Sequence, residues 1–336
     1  MDDLKVKLSA SRLKTLKSCS LKYFYNYTLK IPQQSNTGNR VGDCVHIVLE
    51  CLGERRHRKL LDKLIAAETC FECPVIWRFI QKYCKRESLS EESLEKIDKF
   101  ILIGAKSDFL CEKNGGKLVG SEIDFDIKQN SPTYRIAGFI DQIASYPGNY
   151  IRIKDFKSQA REMEGDDKVE NVQAYIYALA AKNLYGEDKK VVVDFLMLNF
   201  PENPIFRLKF SDEDLARFKK KLAEWYEEIA TFTPENRFDN VAKNQKFPAA
   251  GEGFKGPLQC GWAGAKKGFV ASPDQKKKNG EPAYYCAFRF PLDYFALCDE
   301  DGNVVATSFN KDLKVKEGQF IVKKHHKGCE AFLKKG

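Results

Sequence analysis

The sequence of 336 residues lacks any apolar run approaching the ~18 residues that a membrane-spanning helix requires, and its mean hydropathy is −0.47, which argues against an integral membrane protein. The opening stretch MDDLKVKLSASRLK is charged and holds no apolar core, so no secretory leader is expected. Order is missing from the cysteines: there are eleven, an odd number at irregular spacing, which argues against a secreted disulfide framework and for a cytoplasmic protein. The chain has no internal repeat, and neither helix-turn-helix nor zinc-finger spacing appears, so sequence-specific nucleic-acid reading is not expected. Cys70-Phe71-Glu72-Cys73 has redox-motif spacing but no thioredoxin-like strand before it.

Charge is present in quantity and unevenly placed. The net charge is +9, from 56 Lys and Arg against 47 Asp and Glu. Residues 1–60 hold 12 basic against 5 acidic side chains, residues 265–336 hold 14 against 9, and the middle is slightly acidic. Basic ends around an acidic centre suit a protein that holds a polyanion outside and gathers carboxylates inside; they suit an ordinary solvated surface equally well.

The N-terminal third reads as helical. Ser9 or Ser11 can cap a helix through Leu13 and Leu16 into the cluster Tyr23, Phe24, Tyr25 and Tyr27. PQQSNTGN (32–39) is a loop, and Val41, Val45, Val48, Leu49 and Leu52 recur at helical spacing over 41–54. Two further helical stretches are expected near 60–84 and 90–113. KLVGSEIDFDIK (117–128), YRIAGFIDQIASY (134–146) and YIRIKDF (150–156) then alternate or run β-branched. Asn130-Ser131-Pro132 and Pro147-Gly148-Asn149 break them, predicting a three-strand meander. A helix near 168–184, strands at 191–200 and 205–210, a helix from 212 to about 231, and a short β pair around Asp301-Gly302-Asn303 complete the reading. The fold class is α/β, a mixed sheet flanked by helices. The expected divisions are 1–54, N-terminal helices of the core; 55–116, a helical insertion covering the active site; 117–240, the core; and 241–336, a Cys- and Lys-bearing C-terminal region.

Period-2 geometry puts Asp155 and Lys157 on one face of their strand and Phe156 on the other, and antiparallel pairing lets Asp141 reach the same patch. Two carboxylates beside a lysine suit Mg²⁺ or Mn²⁺, with the lysine orienting a water or a phosphate. Taken alone, an Asp-Xaa-Lys triplet is as readily a surface salt bridge. Around it stand Glu122 on the preceding strand, His46 with Glu50 four residues on along a helix, and Gln173 with Tyr177 at the same spacing on the helix that follows.

In that order these motifs resemble the PD-(D/E)XK nucleases of the RecB-like branch, which includes CRISPR-associated RecB-like exonucleases. The opening LSASRL with Cys19 and Tyr23-Phe24-Tyr25, then GDCVH (42–46), Glu122, GFID (138–141), DFK (155–157) and QAYIY (173–177) are similar to the branch's motifs, over residues 8 to about 180. The resemblance implies a restriction-endonuclease-like core and a metal-dependent DNA nuclease, an exonuclease on single strands or DNA ends in replication, recombination or repair. It implies His46, Asp141, Asp155 and the carbonyl of Phe156 as metal ligands, Lys157 serving the nucleophilic water, and Gln173 and Tyr177 touching DNA or supporting the site. Asp155 departs from the Glu that many relatives carry. The rival is a non-catalytic DNA-binding or assembly module of a recombination, replication or CRISPR-adaptation complex, and a bacterial, phage or mobile-element source fits either.

Many relatives in this branch hold a 4Fe–4S cluster, and the resemblance implies Cys19, Cys260, Cys286 and Cys298 as its ligands here. The gaps are wider than is usual in the branch, Cys329 is a rival ligand, and zinc or plain thiols stay open. Cys44, Cys51, Cys70, Cys73, Cys84 and Cys111 read as small core residues. Arg12, Lys14, Lys17 and Lys22 lie beside Tyr23, Tyr25 and Tyr27, which suits phosphates and unpaired bases, although about half of those rings suit the core as well. The run Lys323 to Lys327 reads as a basic tail patch.

Overall fold

The computed structural model describes residues 6–33, 37–128, 133–159, 162–163, 170–231, 274, 276 and 286–333. The chain divides into two compact units: 1–10 with 35–228, and 11–34 with 229–336. No helix among the described residues is long and apolar enough to cross a membrane.

The first unit is built on a six-stranded mixed sheet. Strands β2 (Lys117–Ile127), β3 (Tyr134–Tyr146) and β4 (Tyr150–Lys157) form the expected antiparallel meander, while the turn expected at Asn130-Ser131-Pro132 lies outside the described residues. Helix α7 (Val172–Tyr185) carries the chain from β4 to β5 (Lys190–Met197), which pairs parallel to it. Strand β6 (Ile205–Lys209) closes one edge antiparallel to β5. A three-residue strand, β1 (Val6–Leu8), pairs parallel with the start of β3, where no strand was expected. β5 stops at Met197, earlier than the apolar run to Phe200 suggests, because the chain turns at Leu198 and Asn199.

Helices cover both faces of this sheet. Helix α3 (Thr37–Gly53), α4 (Arg58–Ala67), α5 (Pro74–Arg86) and α6 (Glu91–Lys106) share one apolar cluster, which reaches the sheet through Phe156, Leu196 and Leu198. The stretch near 60–84 is two helices rather than one, since a single turn at Cys70–Glu72 separates α4 from Pro74, whose fixed φ suits a new helix start. Cys44, Cys70, Cys73 and Cys84 are buried in this cluster, as small core residues would be. On the opposite face α7 packs with α8 (Asp212–Ala230), Tyr175 stacking on Phe218 at 4.6 Å between ring centres.

The second unit contains α1 (Ala10–Ser18), α2 (Ser20–Tyr23) and a π-helical turn at Phe24–Thr28. It also contains a three-stranded sheet of β7 (Leu292–Cys298), β8 (Val304–Ser308) and β9 (Phe320–His326), and a short helix, α9 (Glu330–Leu333). The β7–β8 hairpin is the expected pair. β9 was not expected, and it alters the reading of the basic run: Lys323 and His325 pair with Asp293, and His326 is buried against the Phe288 carbonyl.

Candidate active site

The site arises where two strands part. The β3–β4 ladder runs from Tyr146↔Tyr150 to Gln142↔Lys154 and stops. From there β4 continues against β5 through Asp155, Phe156 and Lys157, while β1 joins the same edge of β3 only at 134–136. In this fork the backbone N–H of Phe156 has no strand partner on the β3 side and donates instead to Asp141 Oδ2, at 2.7 Å. A carboxylate thus replaces a carbonyl in the ladder, which satisfies the orphaned donor and fixes Asp141 opposite Asp155.

The alternation along β4 sorts the side chains. Phe156 faces the helical cluster and stacks on Phe109 at 6.1 Å between ring centres, whereas Asp155 and Lys157 face α7. Asn171 caps α7 by accepting from the Ala174 N–H at 3.1 Å, fixing where Gln173 and Tyr177 point. Gln173 Nε2 donates to Asp155 Oδ1 at 2.9 Å and to the Tyr177 hydroxyl at 2.7 Å, and that hydroxyl donates to the same Oδ1 at 2.9 Å. Gln173 Oε1 accepts from Lys157 Nζ at 2.9 Å. One glutamine side chain therefore holds both the acid and the base. Asp155 Oδ2 is buried and receives no oriented hydrogen bond; its charge partner is Lys157 Nζ at 2.6 Å.

His46, on α3, brings Nδ1 to 3.2 Å from Asp141 Oδ2. Burial opposes charge on this imidazole, but Asp141 outweighs it and pushes His46 up to about 9. Burial likewise raises the Asp155 carboxyl, against the pull of the Lys157 ammonium. Glu122 lies between the pairs Ser121↔Gln142 and Ile123↔Ile140, and so stands opposite Asp141 with left-handed backbone at φ 50°. That conformation costs a non-glycine residue ~1 kcal/mol or more. Burial, then the nearby Asp141 and Glu50, lift the Glu122 carboxyl above its ordinary range. Three adjacent strands thus present an acid at one level, Glu122, Asp141 and Asp155.

The positions singled out in the sequence therefore divide. His46, Glu122, Asp141, Asp155, Phe156, Lys157, Gln173 and Tyr177 meet around the fork, and Glu50 lies one helical turn beyond His46. Tyr177, 5% exposed, is turned to Asp155 rather than outward. Arg12, Lys14, Tyr23 and Cys19 belong to the other unit; Tyr23 is 2% exposed and packs on Tyr27, over which Arg12 lies. Cys19 and Cys298 lie in that unit's apolar cluster with Cys286 and Cys329 at its margin, and Cys260 is outside the described residues. One contributor escaped the sequence reading: Asn171, which carried a usable signal, an Asn just before an apolar helix.

Among the described residues, no group of three or more His, Cys, Asp or Glu side chains is disposed to hold a metal ion. The acids here are matched instead to the protein's own cations, Asp141 to His46 and Asp155 to Lys157. The donor chemistry nevertheless fits a hard divalent ion: two carboxylates and an imidazole, with a buried carboxylate oxygen that lacks an oriented hydrogen bond.

The family model of the PD-(D/E)XK nuclease superfamily matches residues 7–289. One of the subunits of the ATP-dependent helicase/deoxyribonuclease of Carboxydothermus hydrogenoformans is 27% identical over 210 residues, covering 54% of this chain and 19% of that protein. The chain thus spans about a fifth of that relative's length. A crystal structure of a Eubacterium rectale protein assigned as an exonuclease aligns with a TM-score of 0.43 at 10% identity, over 70% of this chain and 82% of that one. The chain belongs to the PD-(D/E)XK nuclease superfamily.

Proposed function

We propose that this PD-(D/E)XK nuclease is a Mg²⁺- or Mn²⁺-dependent deoxyribonuclease, an exonuclease on single-stranded DNA or DNA ends that serves replication, recombination or repair in the cytoplasm. The observation that carries the reading is the strand fork, which sets Asp141 opposite Asp155 and keeps Lys157 against the latter. His46, Asp141, Asp155 and the Phe156 carbonyl would hold the ion. Bound there, it would lower the pKa of a water and offset charge on the phosphate.

The remaining work falls to the chain itself. Gln173 and Tyr177 fix Asp155 Oδ1, leaving Oδ2 as the oxygen turned to the reacting centre. Lys157, steadied by Gln173 Oε1, orients the attacking water or the phosphate oxygen. Glu122 adds a third acid at the margin of the centre, and Arg12 and Lys14 contribute sequence-independent affinity for phosphates. Homology to part of a helicase/deoxyribonuclease supports action within a larger DNA-processing complex.

The second unit is proposed to hold a 4Fe–4S cluster on Cys19, Cys260, Cys286 and Cys298. Support comes from the shared apolar cluster of Cys19, Cys286, Cys298 and Cys329, in which Cys329 remains a rival ligand and zinc a rival metal. Iron, acid-labile sulfide and zinc assays on anaerobically purified protein separate these readings.

The nuclease is tested by degradation of 5′- and 3′-labelled single-stranded and duplex DNA with Mg²⁺, Mn²⁺ or EDTA. Metal-dependent loss of one end label first is expected and gives the polarity. Binding without any cutting would replace the catalytic reading with a DNA-binding or assembly role.

A further inference from the structure

A cleft of about 760 Å³ opens at the C-terminal end of α3, against the exposed edge of β2. It starts where the proposed catalytic centre ends. Glu50, one turn beyond His46, lines it, and so does Ser121, the neighbour of Glu122. Leu52, Leu118 and Val119 give it apolar wall, and Arg55, Arg56, Arg58 and Lys117 give it cations.

The cations are not equivalent. Arg56 is tied to Glu54 at 2.6 Å, and Arg58 grips Glu112 through both terminal nitrogens at 2.7 and 3.1 Å. Arg55 and Lys117, both exposed, form no ion pair among the described residues. The Oγ of Ser121, in the lining, is buried without a hydrogen-bond partner, as are both amide atoms of the 1%-exposed Gln142, its strand partner on β3. Gly53 stands directly over them, and a Cβ at that position would collide with Ser121 Oγ. α4 begins in the same wall, and its N-cap residue, His57, gives no side-chain cap.

We infer that this cleft binds a stretch of single-stranded polynucleotide flanking the scissile phosphate, about one to two nucleotides by volume. Phosphates lie on Arg55 and Lys117, and base rings lie on the apolar wall. A lone strand presents phosphates to Arg55 and Lys117 and unpaired base faces to Leu118 and Val119, whereas a duplex keeps its base faces stacked inside. The inference rests on the nuclease reading for its choice of ligand, and its test is kept separate from cutting.

The probe is a fluorescent oligothymidylate, titrated in EDTA over a range of salt. Reversing both free cations, Arg55→Glu with Lys117→Glu, is expected to weaken binding at least about tenfold. It should also flatten the slope of log affinity against log salt by about 1.4, the value for two single-strand phosphate contacts. Arg55→Ala with Lys117→Ala, a gentler pair at exposed positions, should show the same direction. Lys219→Glu with Lys220→Glu on α8 matches the change in net charge away from the cleft and should leave affinity and slope near wild type. Unchanged affinity and slope in both cleft pairs, or an equal loss in the α8 pair, would overturn the inference. A wild type that binds in this pattern but never cuts would leave the cleft standing and remove the catalytic reading.

Discussion

At the residue scale, Gln173 is the position where the geometry makes its sharpest demand. It donates to Asp155, accepts from Lys157 and braces Tyr177. Gln173→Ala should lower the cutting rate about 10–100-fold, the usual cost of losing a group that orients a metal ligand, with little change in affinity for DNA. Rates at saturating DNA, beside binding in EDTA, check this; an unchanged rate would mean that Asp155 and Lys157 hold themselves. Residues of this kind were legible in part. Asp141, Asp155, Lys157 and His46 are weak signals singly and stood out through their order along the chain, which resembles the motifs of the RecB-like nucleases. Arg55 and Lys117 did not, since isolated surface cations carry no periodic or motif signal, and only the folded β2 edge brings them to one cleft.

At the element scale, the sheet is fastened beneath the site by one buried acid. Asp194 on β5 is 1% exposed; it accepts from Arg152 Nε on β4 at 2.6 Å and is held from β6 by Arg207, through Nε at 2.7 Å and Nη2 at 2.8 Å. Removing the acid leaves the half-buried Arg152 uncompensated, so Asp194→Ala should destabilise the protein by about 3–5 kcal/mol. Urea unfolding measures it, and a loss under ~1 kcal/mol would show that the two arginines are solvated well enough to stand alone. A second element-level case is Gly116, before β2, where an added Cβ would strike the Cys111 carbonyl and the Tyr146 ring. Backbone cannot yield as a side-chain tip can, so Gly116→Ala should cost roughly 1–3 kcal/mol in the same assay. The meander was readable because β2 to β4 alternate or run β-branched between turn residues. β1 is too short at three residues to show a period, and β9 hides its alternation under a run of Lys and His, of which Lys323 and His325 pair with Asp293.

At the scale of the whole molecule, the two units should respond differently to acid. In the second unit His326 is buried and bonded to the Phe288 carbonyl; burial, with His325 adding to it, holds its pKa below the ordinary value. An unfolded histidine takes up a proton near pH ~6.5, which the folded one resists. Stability contributed by this group is therefore present at neutral pH and is lost as pH falls through that range. Thermal melts of the full chain between about pH 7.5 and 5.5 should show the transition of this unit moving down, and His326→Gln should flatten the trend. In the sequence, 1–54 reads with the core helices and Cys19 reads with the C-terminal cysteines; α1 and α2, from that stretch, fall in one compact unit with the C-terminal strands.

The claim on which the rest depends is that the fork at Asp141 and Asp155 is where a phosphodiester is cut. The most direct measurement is single-turnover cleavage of an end-labelled single strand in Mg²⁺ by wild type and Asp155→Asn, at matched occupancy of bound DNA. The geometry predicts equal binding and a fall in rate of at least about 10³-fold, the scale of the several kcal/mol that a lost metal site represents. Cutting by Asp155→Asn within about tenfold of wild type would contradict it and move the chemistry elsewhere in the molecule.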